Sequence, residues 1–289
     1  MIVKEEIDLI EALQSMYPQS KRNTLRKMLT QGRVLVDGEI TYKAKQKIAT
    51  NSVIKVSDKQ EALESSPPPT PKNKPLKIKI LFEDEHILVV NKQAGLLSVA
   101  TDKMEPDTLH SRCLDYLKSN DERAWIFIVH RLDRETSGTM IFSKHKRHKE
   151  YLQEQFANRS VHRVYHALVE GVPQNKSGKI HEWLVEDKFL RVKSTSKKTP
   201  NAKEAITYWN LEDNDEFASL IQLTIQTGRR HQIRVGLSNM GNPVVGDEQH
   251  GATGNPIGRI ALHATSLELL HPETDDPVRF ESPIPFGPE

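Results

Sequence analysis

The sequence predicts an α+β protein in which a small αβ domain precedes a larger domain with many strands and few helices. Most patterned segments are short apolar runs of the strand type, and only a few have the spacing of three and four typical of amphipathic helices. Between residues 59 and 76 the patterning stops at a proline-rich stretch that suits neither helix nor interior strand. We therefore expect domains at residues 1–58 and 77–289, joined by a linker at 59–76.

Composition limits the compartment and the kind of site. The chain has 289 residues, 36% of them hydrophobic, which is enough for a sizeable core. A mean hydropathy of −0.58 and the lack of an apolar stretch of about 20 residues argue against a membrane protein. Residues 1–6 are acidic, unlike a secretion signal, and the single Cys113 excludes an intrachain disulfide and a Cys-based metal site. We expect a cytoplasmic protein.

Charge alone says little about partners. The 41 basic and 39 acidic residues leave a formal net charge of +2. Basic residues do concentrate in a run at 144–149 and in a loop at 193–198. Each is either a contact for a polyanion or a solvated face.

The N-terminal segment reads as two helices and a small sheet. Residues 8–29 carry apolar positions at helical spacing, interrupted at Pro18. A hairpin with an Asp37–Gly38 turn follows, and then a strand at 52–56. This order resembles the S4 RNA-binding module, although a small domain with a basic helix can also bind protein. The resemblance implies phosphate contacts from five cations, Lys21, Arg22, Arg26, Lys27 and Arg33.

The larger domain reads mainly as strands. We predict a hairpin from 78–82 and 87–92, and helices at 108–117 and 148–159. Further strands are predicted at 126–129, 139–142, 161–171, 203–209 and 219–225.

A polar loop between the strands at 126–129 and 139–142 carries the chemistry. It places Asp133 between Arg131 and Arg134. A carboxylate on such a loop is either a turn residue in a surface ion pair or a nucleophile or general base held in one rotamer. These residues alone leave both interpretations open.

The sequence of the whole loop, residues 130–138, decides between these two interpretations of Asp133. It resembles the H-R-L-D-x-x-T-S-G signature of the RluA/RluD-type pseudouridine synthases, the large bacterial family that acts on ribosomal and transfer RNA. Residues 163–171 resemble its K/R-x-Y-x-A-x-x-x-G motif, and residues 227–235 its T-G-R-x-H-Q-I-R-V-H motif, with Gly236 in place of the last His. The resemblance spans about residues 78–286 and includes N-K-x-A-G at 91–95.

The resemblance assigns roles to individual residues. It implies that Asp133 is the indispensable catalytic residue, that Tyr165 packs on the target base, and that Arg234 pairs with Asp133. It also implies a mixed, largely antiparallel sheet in which the catalytic loop and the third motif meet in a central cleft. We expect further substrate contacts from Arg131, His130 and Arg229.

The expected reaction isomerises uridine in RNA, most simply in large-subunit ribosomal RNA or an assembly particle. It needs no cofactor, and neither a glycine-rich nucleotide loop nor an H-E-x-x-H zinc spacing is present. We expect a monomer. Two alternatives remain at this stage: a non-catalytic S4-domain assembly factor, and a nucleoside glycosidase, which usually needs two carboxylates and has only Glu135 nearby in sequence.

Overall fold

The computed structural model describes residues 1–30, 32–44, 46–57, 78–101, 105–187 and 190–287. The predicted linker lies outside these ranges. The chain divides into two compact units: Met1–Pro75 with Ala100–Glu105, and Leu76–Val99 with Pro106–Glu289. None of the helices in the described part is long and apolar enough to cross a membrane.

The first unit has the predicted helix, helix, hairpin and strand order. Its elements are α1 (Leu9–Met16), α2 (Arg22–Thr30), β1 (Ile7–Asp8), β2 (Val34–Val36), β3 (Glu39–Ile40), β4 (Lys47–Ile48) and β5 (Ile54–Val56). β2 pairs with β3 and β5, and β1 pairs with β4. At the hairpin turn, Asp37 and Gly38 both have positive φ, and the Asp37 carboxylate accepts the Val53 N–H at 2.7 Å. The apolar faces of α1 and α2 pack with buried residues of the strands, among them Val34, Ile48 and Ile54, to form this unit's core.

The second unit contains the remaining elements. Its strands are β6 (Lys79–Glu83), β7 (Ile87–Lys92), β8 (Phe127–Ile128), β9 (Ser137–Ser143), β10 (His162–Glu170), β11 (Ser177–Glu186), β12 (Val192–Thr195), β13 (Lys203–Asn214), β14 (Ala218–Ile225), β15 (Leu262–Leu270) and β16 (Pro277–Glu281). Its helices are α3 (Leu109–Asn120), α4 (Lys146–Ala157) and α5 (Gln232–Asn239), with a 3₁₀ turn at Glu248–His250.

These eleven strands form one sheet. Their order is β12-β11-β13-β14-β10-β15-β9-β7-β6, with β16 added to β15 and β8 to β9. Within the described residues, β9 and β15 run parallel and every other pair is antiparallel. The predicted α+β fold with a mixed, largely antiparallel sheet is confirmed. Residues 193–195, part of the loop predicted at 193–198, belong instead to the edge strand β12, where the charged Lys193 discourages further strand pairing.

The strand β9 is covered on both sides. All seven of its residues are buried. Met140 and Phe142 face one core cluster with the buried side chains of α3, while Ile141 faces another with Leu152 of α4. A strand buried on both faces has a continuous apolar run, which explains why residues 139–142 lack alternation. β9 therefore gives the polar loop before it a rigid base.

We predict that Gly138→Ala destabilises this unit. Gly138 has a φ of +118°, and a Cβ there would lie 2.2 Å from the backbone oxygen of Ala264 on β15. We expect the free energy of unfolding to fall by about 3 kcal/mol or more in urea denaturation. Gly254→Ala is the matched control, since its Cβ would meet nothing nearer than 3.9 Å. Equal stabilities of the two variants would contradict this close approach.

Candidate active site

The polar loop and the third motif meet at Asp133. Asp133 lies between β8 and β9, and its Oδ2 accepts the backbone N–H of His231 at 3.3 Å. His231 is the residue before the first turn of α5. A carboxylate at a helix N-terminus interacts favourably with the helix dipole. The predicted meeting of these two segments is therefore confirmed.

The segment after β7 supports the loop from the other side. Lys92 is fully buried, and burial lowers its pKa to about 7. Ser98 Oγ donates to the Leu132 carbonyl at 2.7 Å and accepts the Leu132 N–H at 3.1 Å. Lys92 Nζ donates to three carbonyl oxygens, those of Gln93 (3.1 Å), Leu96 (2.7 Å) and Arg134 (2.9 Å). These bonds fix the backbone on both sides of Asp133.

The turn that begins α5 is held in an uncommon conformation. His231 has a φ of 52°, in the left-handed region that costs a non-glycine residue about 1–3 kcal/mol. Buried polar bonds secure the turn, because Thr227 Oγ1 donates to Gln232 Oε1 at 2.7 Å and Gln232 Nε2 donates to the Ile206 carbonyl at 3.0 Å. The conformation directs the His231 N–H at Asp133.

Arg234 does not form the ion pair that the sequence predicts with Asp133. Its Nε and Nη2 donate to the two carboxylate oxygens of Asp247, at 2.6 and 2.7 Å, and both side chains are buried. This bidentate contact fixes the plane of the guanidinium, and Nη2 also donates to Gln249 Oε1 at 3.4 Å. That pairing prediction is wrong, since the buried partner is Asp247, the residue before the 3₁₀ turn.

A pair of histidines lies next to the buried ion pair. His231 Nδ1 and His250 Nε2 are 3.0 Å apart, so one ring donates and the other accepts. Burial lowers the pKa of His231 to about 3, helped by the positive charge of Arg234. Burial also lowers the pKa of His250. Both imidazoles are therefore neutral near pH 7.

Tyr165 and Arg163 project from β10 into the same region. Tyr165 is 8% exposed, and burial raises the pKa of its phenol. Arg163 is equally buried, and its Nη2 donates to the Gln226 carbonyl at 3.2 Å. A positive charge beside Tyr165 acts against the effect of burial on that pKa. Tyr165 is thus a buried, protonated phenol on β10, and the negative charge of Asp133 also raises its pKa.

The remaining predicted contact residues differ in their surroundings. Arg131 and Arg229 are exposed, and Arg229 Nε donates to the Glu204 carbonyl at 3.1 Å. His130 instead stacks on Phe156, and its Nε2 accepts the Ile141 N–H at 3.2 Å. Burial lowers the pKa of His130 to about 3. These contacts favour a scaffold role for His130 over the predicted substrate contact.

The basic residues of the first unit lie on or next to α2. Lys21, Arg22 and Lys27 are exposed, whereas Arg26 and Arg33 are half-buried. Arg33 Nε donates to the Ser57 carbonyl at 2.9 Å, which ties α2's end to the chain after β5.

Sequence reasoning missed three members of the site. Lys92 falls inside the matching segment 91–95 and Asp247 inside the span 78–286 that the resemblance covers, so the signal was present but gave no role. His250 falls in no quoted motif, and nothing in the sequence marked it. Gly236, which replaces the family's His, has a packing reason, since a Cβ there would lie 3.0 Å from Ile180 on β11.

We predict that breaking the buried ion pair costs far more than breaking an exposed one nearby. Arg234→Met leaves the Asp247 carboxylate buried and unpaired, which should lower the free energy of unfolding by about 3–5 kcal/mol. Removing both charges, in Arg234→Met with Asp247→Leu, should cost less than the single variant. Arg230→Met, which breaks the exposed pair with Glu186, should cost at most about 1 kcal/mol. Urea denaturation measures all three, and a double variant less stable than Arg234→Met alone would rule out the coupling.

Comparison with known proteins places this geometry in a family. The RNA pseudouridylate synthase family model matches residues 86–239. An RNA pseudouridine synthase of Bacillus subtilis is 34% identical over 71% of this chain and 68% of its own length. The ribosomal large subunit pseudouridine synthase D of Xanthomonas campestris is 31% identical over 94% of this chain and 84% of its own.

A solved structure agrees in fold. Human RNA pseudouridylate synthase domain containing 1 is similar with a TM-score of 0.60 and 25% identity, over 73% of this chain and 85% of that one. The family model covers more than half of this chain, and the residues that it matches include the Asp133 loop, Tyr165 and the third motif. The chain belongs to the RNA pseudouridine synthase family, the isomerases that convert uridine in RNA to pseudouridine.

Proposed function

We propose that this protein isomerises uridine to pseudouridine in large-subunit ribosomal RNA, with Asp133 as the essential catalytic residue. The observation that supports this best is the Asp133 carboxylate held at the N-terminus of α5, on a loop fixed by Lys92 and Ser98. The proposed substrate class rests on relatives whose names state the ribosomal large subunit and which match 94% of this chain.

The chemistry is an isomerisation. The N1–C1′ bond of the uridine breaks, the uracil turns, and a C5–C1′ bond forms while C5 loses a proton and N1 gains one. Atoms and electrons balance without a redox cofactor. Asp133 would act as a carboxylate by attack on C1′, by attack on C6 or by removal of a ribose proton, and the residues described here are compatible with all three.

Tyr165 is the proposed platform for the target base. A uridine reaches Asp133 only by leaving its stack, which costs a few kcal/mol. Stacking on an aromatic ring returns about 1–3 kcal/mol per base. The buried phenol, whose pKa is raised, stays protonated and neutral beside the carboxylate.

Arg234 acts through other residues. Its ion pair with Asp247 joins α5 to the 3₁₀ turn, so it fixes His231 and His250 relative to Asp133. We propose a positioning role in place of the direct pairing with Asp133.

RNA contacts outside the base pocket come from exposed cations. Arg131 stands next to Leu132 and Asp133 on the loop, which suits it to fill the gap left by the base or to hold the flanking phosphate. Arg229 is an exposed residue of the third motif and suits a phosphate contact. The basic residues of α2, as an S4-like module, would add affinity without reading sequence. Asp133, Tyr165 and the His231 N–H lie in one unit of the chain, and we propose that the protein acts as a monomer in the cytoplasm.

We predict that Asp133→Asn abolishes modification while the fold and RNA binding persist. The amide is nearly isosteric but can neither attack nor accept a proton at neutral pH. The measurement is pseudouridine mapping by carbodiimide labelling and primer extension on RNA from wild-type, deletion and Asp133→Asn cells. The same large-subunit positions should lose pseudouridine in both altered strains.

Glu135→Gln is the matched control, because it changes the other carboxylate of the same loop and should leave modification intact. If Asp133→Asn cells keep pseudouridine at these positions while the deletion strain shows a defect in ribosome assembly, the protein is a binding factor instead. Release of free uracil by the purified enzyme would favour a glycosidase.

We predict that Arg131 on the Asp133 loop and the basic residues at α2 affect different kinetic constants. Arg131→Ala should lower kcat at least tenfold with a smaller change in KM, because this side chain acts after the base leaves its stack. The double variant Lys21→Ala with Arg22→Ala should raise KM, keep kcat, and reduce the salt dependence of RNA binding by about 1–2 in log–log slope. Steady-state kinetics on a ribosomal RNA fragment, with binding measured at several salt concentrations, test both. Wild-type turnover of Arg131→Ala would contradict its role.

A further inference from the structure

Three histidines gather at the end of β9 away from the catalytic loop. His86 lies in the turn between β6 and β7, while His145 and His148 lie at the start of α4. Each ring offers a nitrogen within 4.8 Å of a nitrogen of both others. The seven residues of β9, about 20 Å of strand, separate this cluster from the loop that carries Asp133. The cluster is therefore distinct from the site described above.

Two of the three rings have a buried nitrogen without a partner. Within the described residues, His86 Nδ1 and His148 Nδ1 are buried and make no hydrogen bond. His148 is only 2% exposed. A buried polar atom without a partner is costly and rare in native proteins, so it calls for an explanation. A bound cation between the rings would satisfy both nitrogens.

The opposite nitrogens are held as they are in metal-binding histidines. His148 Nε2 lies 2.8 Å from a carboxylate oxygen of Glu273, and His145 Nε2 lies 3.0 Å from the Glu85 carbonyl. The Glu85 carbonyl can only accept, so His145 Nε2 carries the proton and its Nδ1 keeps a lone pair. At His148, Arg147 Nε donates to Nε2 at 2.9 Å and Arg147 Nη2 donates to Glu273 at 2.6 Å. An ion at His148 Nδ1 therefore requires the proton on Nε2, facing Glu273, with the Arg147 Nε–H turned away from the ring.

The surrounding charges suit a cation. Lys144 is paired with Glu83 at 2.7 Å, and Arg147 with Glu273. Lys146 is paired with Glu150 at 3.9 Å. With Lys149 the run at 144–149 carries four cations, against five carboxylates on or paired with these segments: Glu83, Asp84, Glu85, Glu150 and Glu273. Their excess offsets the positive end of the α4 dipole.

A fourth histidine has a supporting position. His271 packs edge-on against His86, with ring centroids 5.7 Å apart. Its Nε2 lies 2.8 Å from Asp84 Oδ2, and its Nδ1 lies 3.4 Å from the Thr274 N–H. Both nitrogens are occupied, so His271 orients the turn that carries His86 and leaves three rings free to bind.

We propose that His86, His145 and His148 form a binding site for a divalent first-row transition ion, with Zn²⁺ as its occupant, that fastens the β6–β7 turn to the start of α4. Imidazole ligands suit Zn²⁺, and three nitrogens leave one tetrahedral position for water. In a tetrahedral site with Zn–N bonds of 2.0–2.1 Å, the ligand nitrogens are about 3.4 Å apart. The three ring nitrogens, now within 4.8 Å of one another, reach this spacing by rotation of their side chains. The H-E-x-x-H spacing sought in the sequence does not describe this cluster, which joins an H-x-x-H pair to a distant turn.

The test uses the full chain without an affinity tag, stripped of metal with a chelator. Calorimetric titration with Zn²⁺ should give one ion per chain, and saturating Zn²⁺ should raise the melting temperature. His145→Ala removes an exposed ligand without opening the core, and it should weaken binding at least tenfold and remove the thermal shift. His162→Ala is the matched control, since it removes an exposed histidine outside the cluster and should bind as the wild type does.

Cobalt provides a second measurement. Co²⁺ in the wild-type protein should give the visible absorption of a four-coordinate site, and His86→Gln should lose it. Equal Zn²⁺ affinity of wild type and His145→Ala, or an equal thermal shift in both, would overturn the proposal. Neither readout involves RNA, so the result is independent of the proposed function.

Discussion

The parallel contact between β9 and β15 joins two halves of the sheet, and the active site is assembled across it. Within the described residues, strands β6 to β9 connect to the rest of the sheet through this one pairing. β9 carries the Asp133 loop, whereas Tyr165 lies on β10 and the His231 N–H on the segment after β14. The bare backbone of Gly138 lets the strands approach. The position of the carboxylate relative to its partners therefore depends on strand register more than on any side chain.

Polar side chains reinforce the same junction. Ser137 Oγ lies 2.7 Å from His263 Nδ1, whose Nε2 lies 2.8 Å from Ser282 Oγ, and Arg259 Nη2 also donates to Ser137. Burial lowers the pKa of His263 to about 4, so the ring is neutral and accepts or donates within this network. A buried network whose members are all bonded specifies one alignment of the strands. The conformation of the Asp133 loop is thus supported by bonds within the sheet below it.

Local patterns predicted the elements, but the ion pairs depended on tertiary structure. The hairpin at β6–β7 and the strands flanking the Asp133 loop follow from apolar runs and turn residues, and the signature string marked Asp133 itself. The partner of Arg234 did not follow, because a guanidinium can reach either of two carboxylates until the fold places Asp247 against α5. The histidine cluster was hidden for the same reason, since His86 is nearly 60 residues from His145. The strand β12 was missed because its polar edge residues resemble a loop.

The pairing of β9 with β15 also bears on when, during synthesis of the chain, the site can form. Gly138 and Ala264, which pair across it, are 126 positions apart in the chain. Contacts so distant in sequence form late, because the ends of a long segment must first come together. A nascent chain that already contains Asp133, Tyr165 and His231 still lacks β15, the strand that lies between β9 and β10 in the sheet. We infer that the site forms only after β15 (Leu262–Leu270) has been synthesised, so a chain that ends before this strand should lack activity.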